Sequence, residues 1–205
     1  MNNILRLNIL LLGSSGSGKS TIICKYQSRN FTQGKTIGVE VFSTTIVNKN
    51  NTSSPPACIR IYDMGGASYW WDWIPEYSKD AHFVFLFYDV TNDKTLDDAK
   101  EILKRLKPTK NSYRIILVGN KTDLVQQRVL KILDVNRWIG HRRLEGWQLR
   151  HIECSVKNIT AFKMLLDKAI YGIKKIEIPL ELRKTDFNIN NLNKSTSWSD
   201  YLMPW

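Results

Sequence analysis

The chain has 205 residues, of which 42% are hydrophobic and 24% charged, an ordinary globular composition with enough length for one domain and its core. No apolar run reaches the ~18 residues of a membrane-crossing helix, and three cysteines without metal-like spacing read as reduced core thiols. The net charge of +11 is uneven: Lys100 to Arg150 holds thirteen Lys/Arg against four Asp/Glu. That excess fits either a solvated helical face or a surface meeting an anionic partner. No nucleic-acid module motif accompanies it, so nucleic acid is not expected as a partner.

In chain order, LRLNILLLG (Leu5 to Gly13) predicts a buried strand that stops at glycine. GSSGSGKS (Gly13 to Ser20) follows it, and Lys19 to Ser28 can continue as a helix. Strand, glycine-rich loop and helix in this order form a phosphate-binding loop. Its glycines let successive backbone N–H groups turn toward one anion, and the helix start adds its positive end. Ser15, Gly16, Ser17, Gly18, Lys19, Ser20 and Thr21 are the candidate contacts. Lys19 is placed to reach the β and γ phosphates, and the Ser20 hydroxyl to bind Mg²⁺.

VEVFSTTIV (Val39 to Val47) and CIRIYD (Cys58 to Asp63) are β-rich and are joined by the polar stretch NKNNTSSPPA, read as a hairpin loop. DMGGASYWWDW (Asp63 to Trp73) begins with an acidic residue and two glycines and ends in three tryptophans within four positions. At helical spacing, Trp70, Trp73, Ile74 and Tyr77 would share one face and leave Trp71 off it. AHFVFLFYDV (Ala81 to Val90) and YRIILVGN (Tyr113 to Asn120) are continuous apolar runs, as strands buried on both faces would be. Between them, Leu96, Ala99, Leu103 and Leu106 repeat at helical spacing. A last stripe comprises Phe162, Leu165, Leu166, Ala169, Ile170 and Ile173. Alternating strands and helices predict a mostly parallel sheet covered on both faces. After about Ile178 the pattern dissolves into a polar tail with an aromatic end. His82, His141 and His151 form no cluster.

NKTD (Asn120 to Asp123) lies at the end of a predicted strand, roughly a hundred residues past the phosphate loop. An aspartate there can accept hydrogen bonds from the N1 and N2 donors of guanine, a pair adenine does not offer. This disfavours an ATP-using enzyme of the same loop class. ECSVK (Glu153 to Lys157) ends the last strand, where its backbone can meet the base.

Together these motifs resemble the Ras superfamily of small GTPases over about Leu5 to Lys175. TIGVEV (Thr36 to Val41), LFYDVT (Leu86 to Thr91) and YSKDA (Tyr77 to Ala81) resemble the Rab branch. The resemblance implies an α/β small G-domain over residues 1–177, with a six-stranded, mostly parallel sheet and about five flanking helices. Residues 178–205 would then be a tail. It also implies GTP/GDP and Mg²⁺ as cofactors. Ser20 and Thr36 would be direct metal ligands, with Asp63 holding the metal through water. Gly66 would present its N–H to the γ phosphate, and Phe31 would pack on the guanine edge. Asn120, Lys121 and Asp123 would frame the base beside Ser155, Val156 and Lys157. Lys19, Thr36 and Gly66 would be the groups acting on the reacting phosphate. Effectors, exchange factors and activating proteins would bind through Thr36–Val41 and Tyr62–Tyr77. The implied role is a molecular switch in vesicle trafficking or signalling.

The chain departs from this pattern at several places. Ala67 stands where the family has the glutamine that orients the attacking water, so weak hydrolysis is expected. The alternative is a GTP-locked binding module. Thr36 follows Phe31 by five positions where the family usually has seven, and no tyrosine closes over the phosphates. The Rab-branch triad of Phe, Trp and Tyr is matched by Val41, Tyr62 and Tyr77. No cysteine follows Cys154, so prenylation is not expected. A cytoplasmic monomer is expected, with any membrane contact peripheral and electrostatic.

Overall fold

The computed structural model describes residues 5–28, 34–46, 57–106, 113–164 and 166. Six strands form one sheet: β1 (Leu5–Gly13), β2 (Val39–Ile46), β3 (Ala57–Met64), β4 (Phe83–Asp89), β5 (Arg114–Asn120) and β6 (Leu149–Glu153). Their order is β2-β3-β1-β4-β5-β6. Only β2 runs antiparallel, paired with β3 from Val39–Met64 to Ile46–Ala57. The helices are α1 (Lys19–Tyr26), α2 (Ile74–Ser78), α3 (Asp93–Arg105) and α4 (Ile132–Leu144), and a further helix opens at Thr160.

Strand alternation splits the core into two layers. On one face Leu7, Ile9, Leu11, Phe83, Phe85 and Phe87 pack against Ile22, Ile23 and Tyr26 of α1 and against Phe162 and Leu166. On the other, Leu10, Leu12, Val84, Leu86 and Tyr88 meet Trp71, Ile74, α3 and α4. Every residue of β4 is buried, which explains its unbroken apolar sequence. The expected stripe on α3 is buried as read, from Leu96 to Leu106. The Asn92 side chain caps that helix by accepting from the Lys94 N–H.

The tryptophan stretch corrects the helical reading. Ser68–Trp73 is a 3₁₀ helix, so its repeat is three residues rather than 3.6. Trp71 and Ile74, three apart, therefore turn inward, at 8% and 0% exposure. Trp71 belongs to the core, and Trp73 is 47% exposed. Helix α4 has no clear apolar stripe, with only Val135 and Ile139 buried, and the sequence reading does not identify it.

The expected boundary at 177, the tail, Phe31, the loop at 48–56 and four residues of the last stripe (Leu165, Ala169, Ile170, Ile173) lie outside the described residues. Among the described residues no helix is long and apolar enough to cross a membrane.

Candidate functional site

The C-terminal ends of the parallel strands bring three loops together. The phosphate loop leaves β1 and enters α1 at Gly18, whose φ of 93° lies in the left-handed region that favours glycine. A side chain there would also collide with the amide of Asn120. Asn120, fully buried at the end of β5, donates from Nδ2 to the Ser17 carbonyl at 2.9 Å and accepts the Lys121 N–H at 2.8 Å. It thus holds the phosphate loop and the NKTD loop in one register.

The Lys19 ammonium, buried inside the loop, donates to the carbonyls of Gly13 at 2.7 Å and Ser14 at 3.0 Å. Two of its three donors are used, which fixes the head group where a third can meet an anion. Burial lowers its pKa to about 8, against the opposing pull of Asp63. Ser15 and Gly16 are exposed at the loop's rim, Ser17 is buried and Thr21 half-buried. The Ser15 N–H donates to the Gly66 carbonyl at 3.1 Å, which ties the second loop to the first.

Asp63, next to last in β3, lies beside these groups with no exposed surface. Neither carboxylate oxygen has a hydrogen bond of ordinary geometry. Burial raises its pKa, eased by the Ser20 hydroxyl, Lys19 and the Thr36 hydroxyl, while Glu40 pushes the same way as burial. The Ser20 and Thr36 hydroxyl oxygens are 3.0 Å apart. A buried carboxylate next to two hydroxyls is an oxygen donor set that suits a hard cation such as Mg²⁺. The structure therefore brings together all three residues expected to hold the metal.

Gly66 begins the loop, and Ala67 follows with an extended backbone that precedes the 3₁₀ helix. Gly65 donates its N–H to the Gly38 carbonyl at 2.8 Å, continuing the β2–β3 ladder beyond Val39–Met64.

At the NKTD loop, Asp123 accepts from the Ser155 hydroxyl at 2.5 Å and pairs with Lys157 at 2.9 Å. Lys157, then Ser155, hold its carboxyl below the usual range. Ser155 also accepts the Lys157 N–H, and the Cys154 carbonyl accepts both donors of Thr122. Val156 packs against the core layer shared with α1. Lys121, at φ 67°, reaches Asp89 at 2.5 Å. Burial works against ionisation of Asp89, but Lys121 and Thr91 outweigh it and keep its pKa low.

Asp89 and the pair Arg128–Glu153 are the supports that sequence reasoning missed. Arg128 binds Glu153 through two nitrogens and so fixes the segment after NKTD to the end of β6. The arginine lies in an unremarkable polar turn, and only its distance from Glu153 reveals the pair. The basic stretch also changes character. Among the described residues, Lys100, Lys104, Arg105, Lys121, Arg128, Arg137 and Arg142 stand in ion pairs. Cys154 is buried, and its thiol is pushed up to about 12 by burial and then Glu153.

Around the two central loops lies an aromatic chain. Tyr69 and Trp70 are 4.9 Å apart, Trp70 and Trp73 5.2 Å, Trp73 and Tyr77 6.4 Å, and Tyr77 and Tyr62 6.0 Å between ring centres. Val41, half exposed, and the strongly exposed Ile37 add to the apolar surface that these two loops present.

Comparison with known proteins gives one family match: the model of the Ras family matches residues 8–175. The chain is 31% identical over 132 residues to Ras-related protein Rab-28 of Caenorhabditis elegans, covering 62% of this chain and 52% of that one. It is 26% identical over 186 residues to Ras-related protein RabC of Dictyostelium discoideum, covering 89% and 91%. With Ras-related protein Rab-11B of the same organism it shares 28% over 192 residues, covering 90% and 83%.

Proposed function

This chain belongs to the Ras family, as a Rab-like small GTPase, and on that premise we propose a guanine-nucleotide switch that works with Mg²⁺ and hydrolyses GTP slowly. The observation that carries the reading is the convergence on Asp63: a fully buried carboxylate beside Lys19, Ser20 and Thr36. In this reading Ser20 and Thr36 bind the metal directly and Asp63 through water. A bound Mg²⁺ would offset the charge of the phosphates. Lys19 and the N–H groups of the phosphate loop hold the phosphates, and Gly66 donates to the γ phosphate. Asp123 selects guanine through its two acceptor oxygens, oriented by Ser155 and Lys157.

Ala67 has no donor or acceptor with which to place a water, so charge stabilisation remains while water positioning is weak. Effectors, exchange factors and activating proteins meet the face built from Thr36–Val41 and Tyr62–Tyr77. The relatives' Rab names support a role in vesicle trafficking. The same alanine favours a second reading, a GTP-locked binding module that keeps nucleotide as a structural cofactor.

Chromatography of the nucleotide released from purified protein tests both. Guanine nucleotide at about one per chain is expected; a protein purified with none, and unable to take up either GTP or GDP, is not this switch. GTP that persists without turnover, even with an activating protein, selects the module.

A further inference from the structure

The two edges of the sheet are built differently. At one edge, β6 is five residues long and carries Arg150 and Glu153, charges that discourage an added strand. At the other, β2 is eight residues long, and Glu40 is its one charged residue. It holds no proline, and Val39, Val41, Thr44, Thr45 and Ile46 are β-branched. Its pairing with β3 is unbroken from Val39–Met64 to Ile46–Ala57, with no bulge to turn the edge aside. The Gly65 N–H donates to the carbonyl of Gly38 directly opposite, which sets the alternation of this ladder. Glu40, Phe42 and Thr44 therefore turn their backbone groups toward β3. Val39, Val41, Ser43 and Thr45 turn theirs outward, and among the described residues no backbone or side chain pairs with them there.

We propose that two copies of the chain pair antiparallel through these open edges, in the register that sets Phe42 opposite Phe42. Outward-turned residues then face one another. Val39 meets Thr45 and Val41 meets Ser43, so each outward N–H and C=O from Val39 to Thr45 gains a partner. A shift of one residue would set outward groups against inward ones, and a shift of two would leave end residues unpaired. The same register puts Glu40 opposite Thr44 of the second copy, so no like charges are opposed. The contact is isologous and uses up both edges, so assembly stops at two. Each copy carries a net charge of +11, but charges more than about 8 Å apart are largely screened at physiological salt. One strand pair is a small interface, so the dissociation constant is on the order of 50 µM and the dilute chain is a monomer. Val39 and Val41 belong to the face proposed for effectors, and the dimer withholds that part of it. The pairing uses backbone groups of β2 and no bound ligand, so it stands or falls apart from the nucleotide reading.

Sedimentation velocity of the full chain tests the pairing, and wild type should pass from monomer to dimer between about 1 and 200 µM. Ser43→Pro removes an outward N–H without touching a bond to β3, and Ser43→Lys puts a lysine on the edge. Each should raise the dissociation constant by about tenfold or more. Urea unfolding shows that each variant is folded, and if the proline variant is not, the lysine variant decides. Amide hydrogen exchange locates the contact. At about 200 µM the peptide covering 39–45 should exchange about threefold more slowly than at about 1 µM, while the peptide covering 149–153 keeps its rate. A chain that stays monomeric at about 200 µM overturns the proposal. So does a dimer in which 39–45 exchanges no more slowly, or one that the folded variants leave intact.

Discussion

Asn120 and Ser17 are 103 positions apart in the chain, and the amide of one donates to the carbonyl of the other at 2.9 Å. This bond makes the phosphate loop and the base loop one object. Asn120→Ala leaves the Ser17 carbonyl and the Lys121 N–H without their partner. The folded state should lose about 2–3 kcal/mol, read from urea unfolding, and nucleotide should dissociate faster. An unchanged unfolding midpoint would mean that the two loops hold their register by packing alone.

Base choice should rest on Asp123. Asp123→Asn replaces one acceptor oxygen with a donor, so guanine affinity should drop and xanthine nucleotides should bind better, because xanthine carries an acceptor in place of the N2 donor. Competition binding with GDP and XDP measures it. A variant that holds GDP as tightly as wild type removes the guanine assignment.

Ser20→Asn should weaken GTP far more than GDP when Mg²⁺ is present, because in the proposed site Ser20 would hold the ion that offsets the added charge of the γ phosphate. Titrations with and without Mg²⁺ separate the cases. Equal losses for both nucleotides would place Ser20 outside the metal's shell.

Wild type should retain GTP for hours at room temperature. Ala67→Gln supplies a water-placing amide, and single-turnover hydrolysis should rise by about tenfold, ~1.4 kcal/mol off the barrier. Wild-type turnover already as fast as that of a glutamine-bearing small GTPase would mean that another group places the water.

His151 on β6 gives a pH signature. Its Nε2 meets the Tyr88 hydroxyl at 2.9 Å and its Nδ1 the Asn136 side-chain oxygen at 2.8 Å. Burial lowers its pKa to about 4; Glu153 opposes this, while Arg128 and Arg143 reinforce it. Below the ordinary histidine value of about 6.5 the unfolded chain takes up a proton that the folded chain refuses until about pH 4. The contribution of His151 to stability is thus present above about pH 6.5 and falls as pH drops toward 4, by about 3 kcal/mol at most. His151→Gln should flatten this part of the profile, seen by comparing urea unfolding at about pH 7 and pH 4.5. Parallel pH profiles for the two proteins would exclude it.

The sequence carried the sheet because its signals are local. Phe83 to Asp89 reads as a central strand from seven consecutive residues, and the phosphate loop is a contiguous pattern between a strand and a helix. It misled at Ser68–Trp73, where a three-residue repeat replaced the 3.6-residue one and put Trp71 inside. Helix α4 escaped because Gly140 and four charged side chains interrupt its apolar pattern. In the site, the structure brings Lys19, Ser20, Thr36 and Asp63, each singled out from its motif, into one place. The braces were not, because Lys121–Asp89 and Arg128–Glu153 depend on side chains that meet only after the sheet is assembled.

Cys154 turns the base loop into its own reporter. With its thiol pushed up to about 12, almost none of it is thiolate near neutral pH, and the buried sulfur meets no reagent. Alkylation of Cys154 must then wait for the end of β6 to detach, and with it the carbonyl that holds Thr122. Cys24 and Cys58, both half-buried, lie outside that loop and give the reference rate. The ratio of slow to fast labelling, followed by peptide mass on the native chain, measures how often the NKTD end of the protein opens. A bound nucleotide should lengthen the wait in proportion to its affinity.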